Sequence, residues 1–166
     1  MKPPLFAVDT NFLMNLSAAS DTALDALDVI RKRAPKAAVL ATESVLNELV
    51  HFTATPSSGK QPLARKALVS LLAWGIQPTH ITDLQATFAD SIAGKLIDQG
   101  IIPADENNDA TILAEAAVLE CQILVSSDSD LRDANRSRLA LALQACGVSV
   151  VVVCTPNEIV RMFAGR

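Results

Sequence analysis

The sequence predicts an α/β protein: a three-layer α/β/α sandwich with a central parallel sheet. Short runs such as Leu5–Val8 and Ala37–Ala41 are continuously apolar, without alternation, as strands buried on both faces require. Between the apolar runs lie helical stretches, and the connections are long enough for crossovers between parallel strands. No repeat, low-complexity block or change of composition divides the chain, so residues 1–166 are expected to form one domain.

In order, Leu5–Val8 reads as the first strand. Thr10 to about Arg33 reads as helix, with a potential break between Ser17 and Ser20. Ala37–Ala41 follows Pro35 as the second strand, and Ser44–Phe52 is helical. "TATPSSGKQP", residues 53–62, has the Pro, Gly and Ser content of a loop. Leu63–Trp74 is helix, Ile76–Ile81 a weak strand, and Leu84–Gln99 a helix stopped by Gly100. Asn108–Cys121 is helix and Ile123–Ser126 strand. Asp130–Ala145 is a helix closed by Gly147, Val148–Val153 the last strand, and Pro156–Phe163 the final helix.

Composition excludes several classes. Half of the 166 residues are hydrophobic and 19% are charged, which argues against disorder. No apolar run approaches the roughly 18 residues of a membrane span. The N-terminal "MKPPLFAVDTN" does not make a secretion signal, because Asp9 interrupts its apolar run. Cys121, Cys146 and Cys154 are an odd, unclustered set, as expected of a cytoplasmic protein without disulfides. No G-x-x-x-x-G-K run, G-x-S-x-G or C-x-x-C pair is present, and His51 and His80 are the only histidines. The pI near 5.1 argues against nucleic-acid binding through bulk charge.

Charge is unevenly spread. Residues 1–83 carry 8 basic and 7 acidic side chains, whereas residues 84–166 carry 6 and 11. Eight acids lie between Asp105 and Asp133, opposed only by Arg132. A solvated helical face accounts for such a run; so does a divalent-cation site, since hard cations prefer oxygen donors. Asp9 ends the first strand and is either a helix cap or a site carboxylate. Glu48 borders the apolar stripe of Val45, Leu49 and Phe52, so it either reaches solvent or needs a partner. Asp109 heads the stripe of Ile112, Leu113 and Ala116, as an ordinary first-turn acid or one aimed at the sheet edge. Asp128 and Asp130 follow a later strand, where either could cap the next helix. The crevice of a doubly wound sheet lies beyond the carboxyl ends of its strands. Acids from four segments meeting there could not coexist without a cation, which makes a metal site the economical reading.

"FAVDTN", "SVLNEL", "NDATILAEA" and "ILVSSDSDL" resemble, in order and approximate spacing, the four acidic motifs of the PIN domain family. The resemblance covers essentially the whole chain. It implies a parallel α/β/α sandwich and a metal-dependent endoribonuclease. Many small members of the family are toxins of toxin–antitoxin pairs, which makes an antitoxin a partner to expect here. Carried over by motif, Asp9, Glu48, Asp109 and Asp128 are the catalytic acids. Asp9, Asp109, Asp128 and Asp130 are the candidate ligands for Mg²⁺ or Mn²⁺, and Thr10, Asn11 and Ser126 line the site. Leu131 stands where an aromatic residue is common in the family, and the loop at 53–62 adds length. The alternative is a silent PIN-like scaffold that binds RNA or protein. Attraction for an RNA strand must come from the rim. Arg132, Arg136, Arg138, Lys60, Arg65 and Lys66 are candidates, each more simply explained as solvated surface charge. The absence of Tyr and the single Trp74 leave little for base stacking, so weak sequence selectivity is expected. The Ala/Leu surface from Leu139 to Leu143 is a candidate homodimer interface.

Overall fold

The computed structural model describes residues 2–56 and 59–164. Strand β1 (Leu5–Val8) leads into helices α1 (Thr10–Ser17) and α2 (Asp21–Arg33). Then come β2 (Ala38–Ala41), α3 (Glu43–Thr53), α4 (Gln61–Ser70), β3 (Ile76–Pro78), α5 (Asp83–Asp98) and α6 (Asn107–Val118). The chain finishes with β4 (Ile123–Val125), α7 (Ser129–Asp133), α8 (Arg136–Ala145), β5 (Val152–Cys154) and α9 (Pro156–Ala164).

The strands form one five-stranded parallel sheet in the order β3-β2-β1-β4-β5, flanked by helices, which is the predicted three-layer sandwich. Phe6 pairs with Val39 on one side and Ile123 on the other, so β1 is the middle strand. From β1 the chain builds outward through β2 to β3, then returns to add β4 and β5 on the opposite flank. The carboxyl end of β1 is therefore the point where the winding direction reverses, and a crevice opens there. The burial of Ala7, Val8, Ala41, Leu124 and Val125 fits the continuous apolar runs of a sheet covered on both faces.

The expected break after Ser17 is real. Ala18 and Ser20 donate backbone N–H groups to Met14 and Asn15, and Ala19 takes φ 55°, so α1 ends before α2 begins. The loop read at 53–62 shortens to the segment between α3 and α4, and its Ser57 and Ser58 lie outside the described residues.

Four expectations need correction. The weak strand at Ile76–Ile81 stops at Pro78, on the sheet edge where a residue without an N–H is tolerated; the Thr82–Gln85 capping box then opens α5. The single helix read over Asp130–Ala145 is two. Ala134 is extended, and the Asn135 side chain caps α8 by accepting from the Arg138 N–H at 3.0 Å. The last strand is not Val148–Val153 but Val152–Cys154. After Gly147, at φ 75°, the Val148 N–H turns back to Leu143, and the ladder starts only where Val152 donates to Gln122. The Leu139–Leu143 surface is also not free: Leu139, Ala142 and Leu143 are core residues, and within that stretch Leu141 alone of the leucines is exposed, at 66%.

Candidate functional site

The strand ends bring the four predicted acids together. Asp9 follows β1 directly, Asp128 lies just beyond β4, Glu48 stands on α3 after β2, and Asp109 is in the first turn of α6. All four line one cavity of about 170 Å³, with Glu106, Thr10, Asn11, Lys60 and Ile112. Larger hollows exist, including one of about 480 Å³ beside Arg132 and Arg161, but no set of carboxylates converges on it.

Asp9 is only 3% exposed. Its Oδ1 accepts the Phe12 N–H at 2.8 Å, so it does cap α1, and its Oδ2 accepts the Ser126 hydroxyl. The Ser126 Oγ in turn accepts the Asp128 N–H at 3.0 Å. Asp128 caps α7 through Oδ1, accepting the Asp130 N–H at 2.8 Å, while Asn11 Nδ2 reaches its Oδ2 at 3.4 Å. Capping and site-building were alternatives in the sequence; each carboxylate has two oxygens and the fold uses both. Glu48 accepts the Thr10 hydroxyl and, at 2.8 Å, the Asn108 amide on the same oxygen, Oε2. Asp109 Oδ2 is a buried atom with no hydrogen-bond partner among the described residues.

This crowding is unfavourable when the acids are charged. Burial pushes Asp9 up to about 7 against the Ser126 and Phe12 hydrogen bonds, and the Asp128 and Glu48 charges push the same way. Asp109 rises to about 8, through burial first and then the charges of Asp128, Glu106 and Asp9. Burial and the neighbouring acids also raise Glu106. The donor set is all oxygen, its charges are mutually repulsive, and one buried carboxylate oxygen is orphaned. A hard divalent cation suits such a set.

Asp130 faces Asp109 and Glu106 rather than Asp9: one oxygen of each of these three lies within 4.8 Å of the others. Glu106 and Asn108 escaped the sequence reading. Both sit in "DENNDAT", where the motif pointed to Asp109 alone; only the start of α6 shows that Glu106, its N-cap residue, lines the cavity and that Asn108, in its first turn, reaches Glu48. Among the predicted basic residues, Arg132 pairs with Asp133 at 2.9 Å and Arg136 with Glu158 at 2.8 Å. Arg138 donates to the Gln99 carbonyl, and Arg65 and Lys66 are exposed on α4. Lys60 lines the carboxylate cavity, its Nζ 4.7 Å from the centre of the Phe52 ring. Among the described residues, no helix is long and apolar enough to cross a membrane.

A family model described as PIN domain matches residues 6–137. No curated protein matches the sequence. Among solved structures, the chain is similar to one in VapBC2 from Rickettsia felis bound to a DNA fragment from its promoter. The TM-score there is 0.63 and the identity 15%, over 91% of this chain and 98% of that one. It is also similar to a chain of VapBC-1 from nontypeable Haemophilus influenzae, with TM-score 0.56 and 14% identity over 93% and 99%. FitAcB from Neisseria gonorrhoeae gives a TM-score of 0.55 and 18% identity over 92% and 99%. At these identities the likeness is one of fold.

Proposed function

This chain belongs to the PIN domain family, and on that premise we propose that it is a divalent-metal-dependent endoribonuclease, the toxin of a toxin–antitoxin pair. The observation that carries the proposal is the convergence of Asp9, Glu48, Asp109 and Asp128, from four separate segments, on one pocket. A scaffold gains nothing from four like charges held together. In this reading the chain is a single cytoplasmic domain, and its three described cysteines are free. Its partners are an RNA substrate, an antitoxin protein and a second copy of itself. The family and the fold shared with VapBC and FitAcB chains support the antitoxin.

Asp9, Asp109 and Asp128 would hold the ion, with Asp130 at the neighbouring cluster that shares Asp109. Bound there, Mg²⁺ or Mn²⁺ would lower the pKa of a water and neutralise charge developing on the phosphoryl oxygens. The residues of the chain prepare that step. Ser126 and the Phe12 N–H fix both oxygens of Asp9. Thr10 and Asn108 hold Glu48 by Oε2, leaving Oε1 to accept a hydrogen bond from the attacking water and orient it. Asn11 steadies Asp128.

The test is cleavage of single-stranded RNA with Mg²⁺ or Mn²⁺, with and without EDTA. Asp9→Asn and Asp109→Asn should each remove cleavage while the protein stays folded. An Asp9→Asn protein that still cuts RNA in a metal-dependent way would dismiss the assignment.

A further inference from the structure

The pocket has a shortage of positive charge. Among the described residues, five carboxylates line it (Asp9, Glu48, Glu106, Asp109 and Asp128), and the one basic side chain that reaches it is Lys60. The arginines after the acidic loop are committed elsewhere: Arg132 to Asp133, Arg136 to Glu158 and Arg138 to the Gln99 carbonyl. Among the described residues, no carboxylate lies within ion-pair distance of Lys60, even though it borders an acidic cavity. Its ammonium rests over Phe52, one helical turn along α3 from Glu48. The start of α4 is fastened at that point, because Gln61 Nε2 donates to the Thr53 carbonyl at 2.8 Å. An aromatic face keeps an ammonium in place without neutralising it, so the full charge stays available to an anion entering the pocket.

We infer that Lys60, held on the Phe52 ring at the mouth of the carboxylate pocket, is the substrate contact that takes an RNA backbone phosphate beside the one being cut. The inference rests on the nuclease reading and goes beyond it. It gives Lys60 a role separate from the other basic residues and makes substrate capture depend on a loop-to-helix junction outside the four acidic motifs. Lysine suits the task as a compact point charge that reads phosphate without reading base sequence.

The experiment compares wild type with Lys60→Gln and Lys60→Arg on a fixed single-stranded RNA in Mn²⁺. For Lys60→Gln we expect KM to rise about fivefold to tenfold with kcat within about twofold of wild type. The slope of log(kcat/KM) against log salt should flatten by about 0.7, the increment for one phosphate contact on a single strand. Lys60→Arg should restore both. The Mn²⁺-induced rise in melting temperature should be the same in all three, which separates loss of a substrate contact from damage to the fold or metal centre. A second arm measures RNA binding to Asp9→Asn with and without Lys60→Gln, where cleavage plays no part. If wild type proves inactive, the nuclease reading falls and this arm still decides Lys60. Unchanged KM, affinity and salt slope, or a loss confined to kcat, would overturn the inference.

Discussion

Asp9 offers a direct measure of the strain in the carboxylate pocket. A carboxyl raised from 3.8 to about 7 favours the protonated native state. Its contribution to stability is therefore complete below pH 4, shrinks as pH rises, and is gone above pH 7. Each pH unit between the two values is worth about 1.4 kcal/mol, so the whole span is about 4 kcal/mol. That figure is an upper bound, because Asp109 titrates in the same field. Between pH 5.5 and 8 the part belonging to Asp9 is about 2 kcal/mol, or roughly 4–8 °C in Tm for a chain of this size. In metal-free buffer the wild-type Tm should fall over that range. Asp9→Asn keeps an oxygen for the Phe12 N–H and removes the charge, so its Tm at pH 8 should exceed that of wild type by several degrees, with a flatter pH profile. Mn²⁺ at about one hundred times its Kd should then raise wild type at pH 8 by roughly 5–10 °C, and Asp9→Asn much less. The assay is thermal unfolding followed by circular dichroism in EDTA and in Mn²⁺. A metal-free Asp9→Asn protein less stable than wild type at pH 8 would refute the reasoning, because Asp9 would then be gaining more from its partners than burial takes away.

Other side chains give sharper local tests. Ser126→Ala removes the hydroxyl that holds Asp9 and accepts the Asp128 N–H; Mn²⁺ affinity, read by calorimetry, should drop about tenfold or more. Asn108→Ala frees one of the two donors on Glu48 Oε2, so kcat should fall while the Mn²⁺-induced Tm shift stays. Glu115, buried on α6, accepts from the Ser44 N–H at 3.2 Å and hydroxyl at 2.7 Å. Glu115→Ala should therefore cost about 2–3 kcal/mol in urea unfolding and leave the metal shift in place. Asn135→Ala should cost about 1 kcal/mol by uncapping α8.

The fold and much of the pocket were legible in the sequence because both are written in local signals. Apolar runs, caps and crossover lengths define the sheet, and each acid sits at a strand end or helix start. The misreadings came from signals that only tertiary partners reveal. Asn135 is an ordinary polar residue in a helical pattern until its side chain caps the second half. Val148–Val151 look like strand, but the turn after Gly147 uses the Val148 N–H and delays pairing to Val152. Glu115 was one acid among eight in a run, and its burial depends on Ser44, 71 positions away. Glu106 and Asn108 were hidden by their proximity to a stronger candidate, since spacing along a loop does not say which neighbours turn inward.

The middle place of β1 has a consequence for when this molecule can act. Asp128 arrives only after β4 has docked on β1, and Ser126, whose hydroxyl accepts the Asp128 N–H, is itself tied through its backbone N–H to Cys154 on the far flank. During synthesis the carboxylate pocket therefore stays unfinished until the chain has run on through Cys154, long after Asp9 and Glu48 have emerged. On the proposed function, that order of assembly puts chemistry last, after both flanks of the sheet are in place.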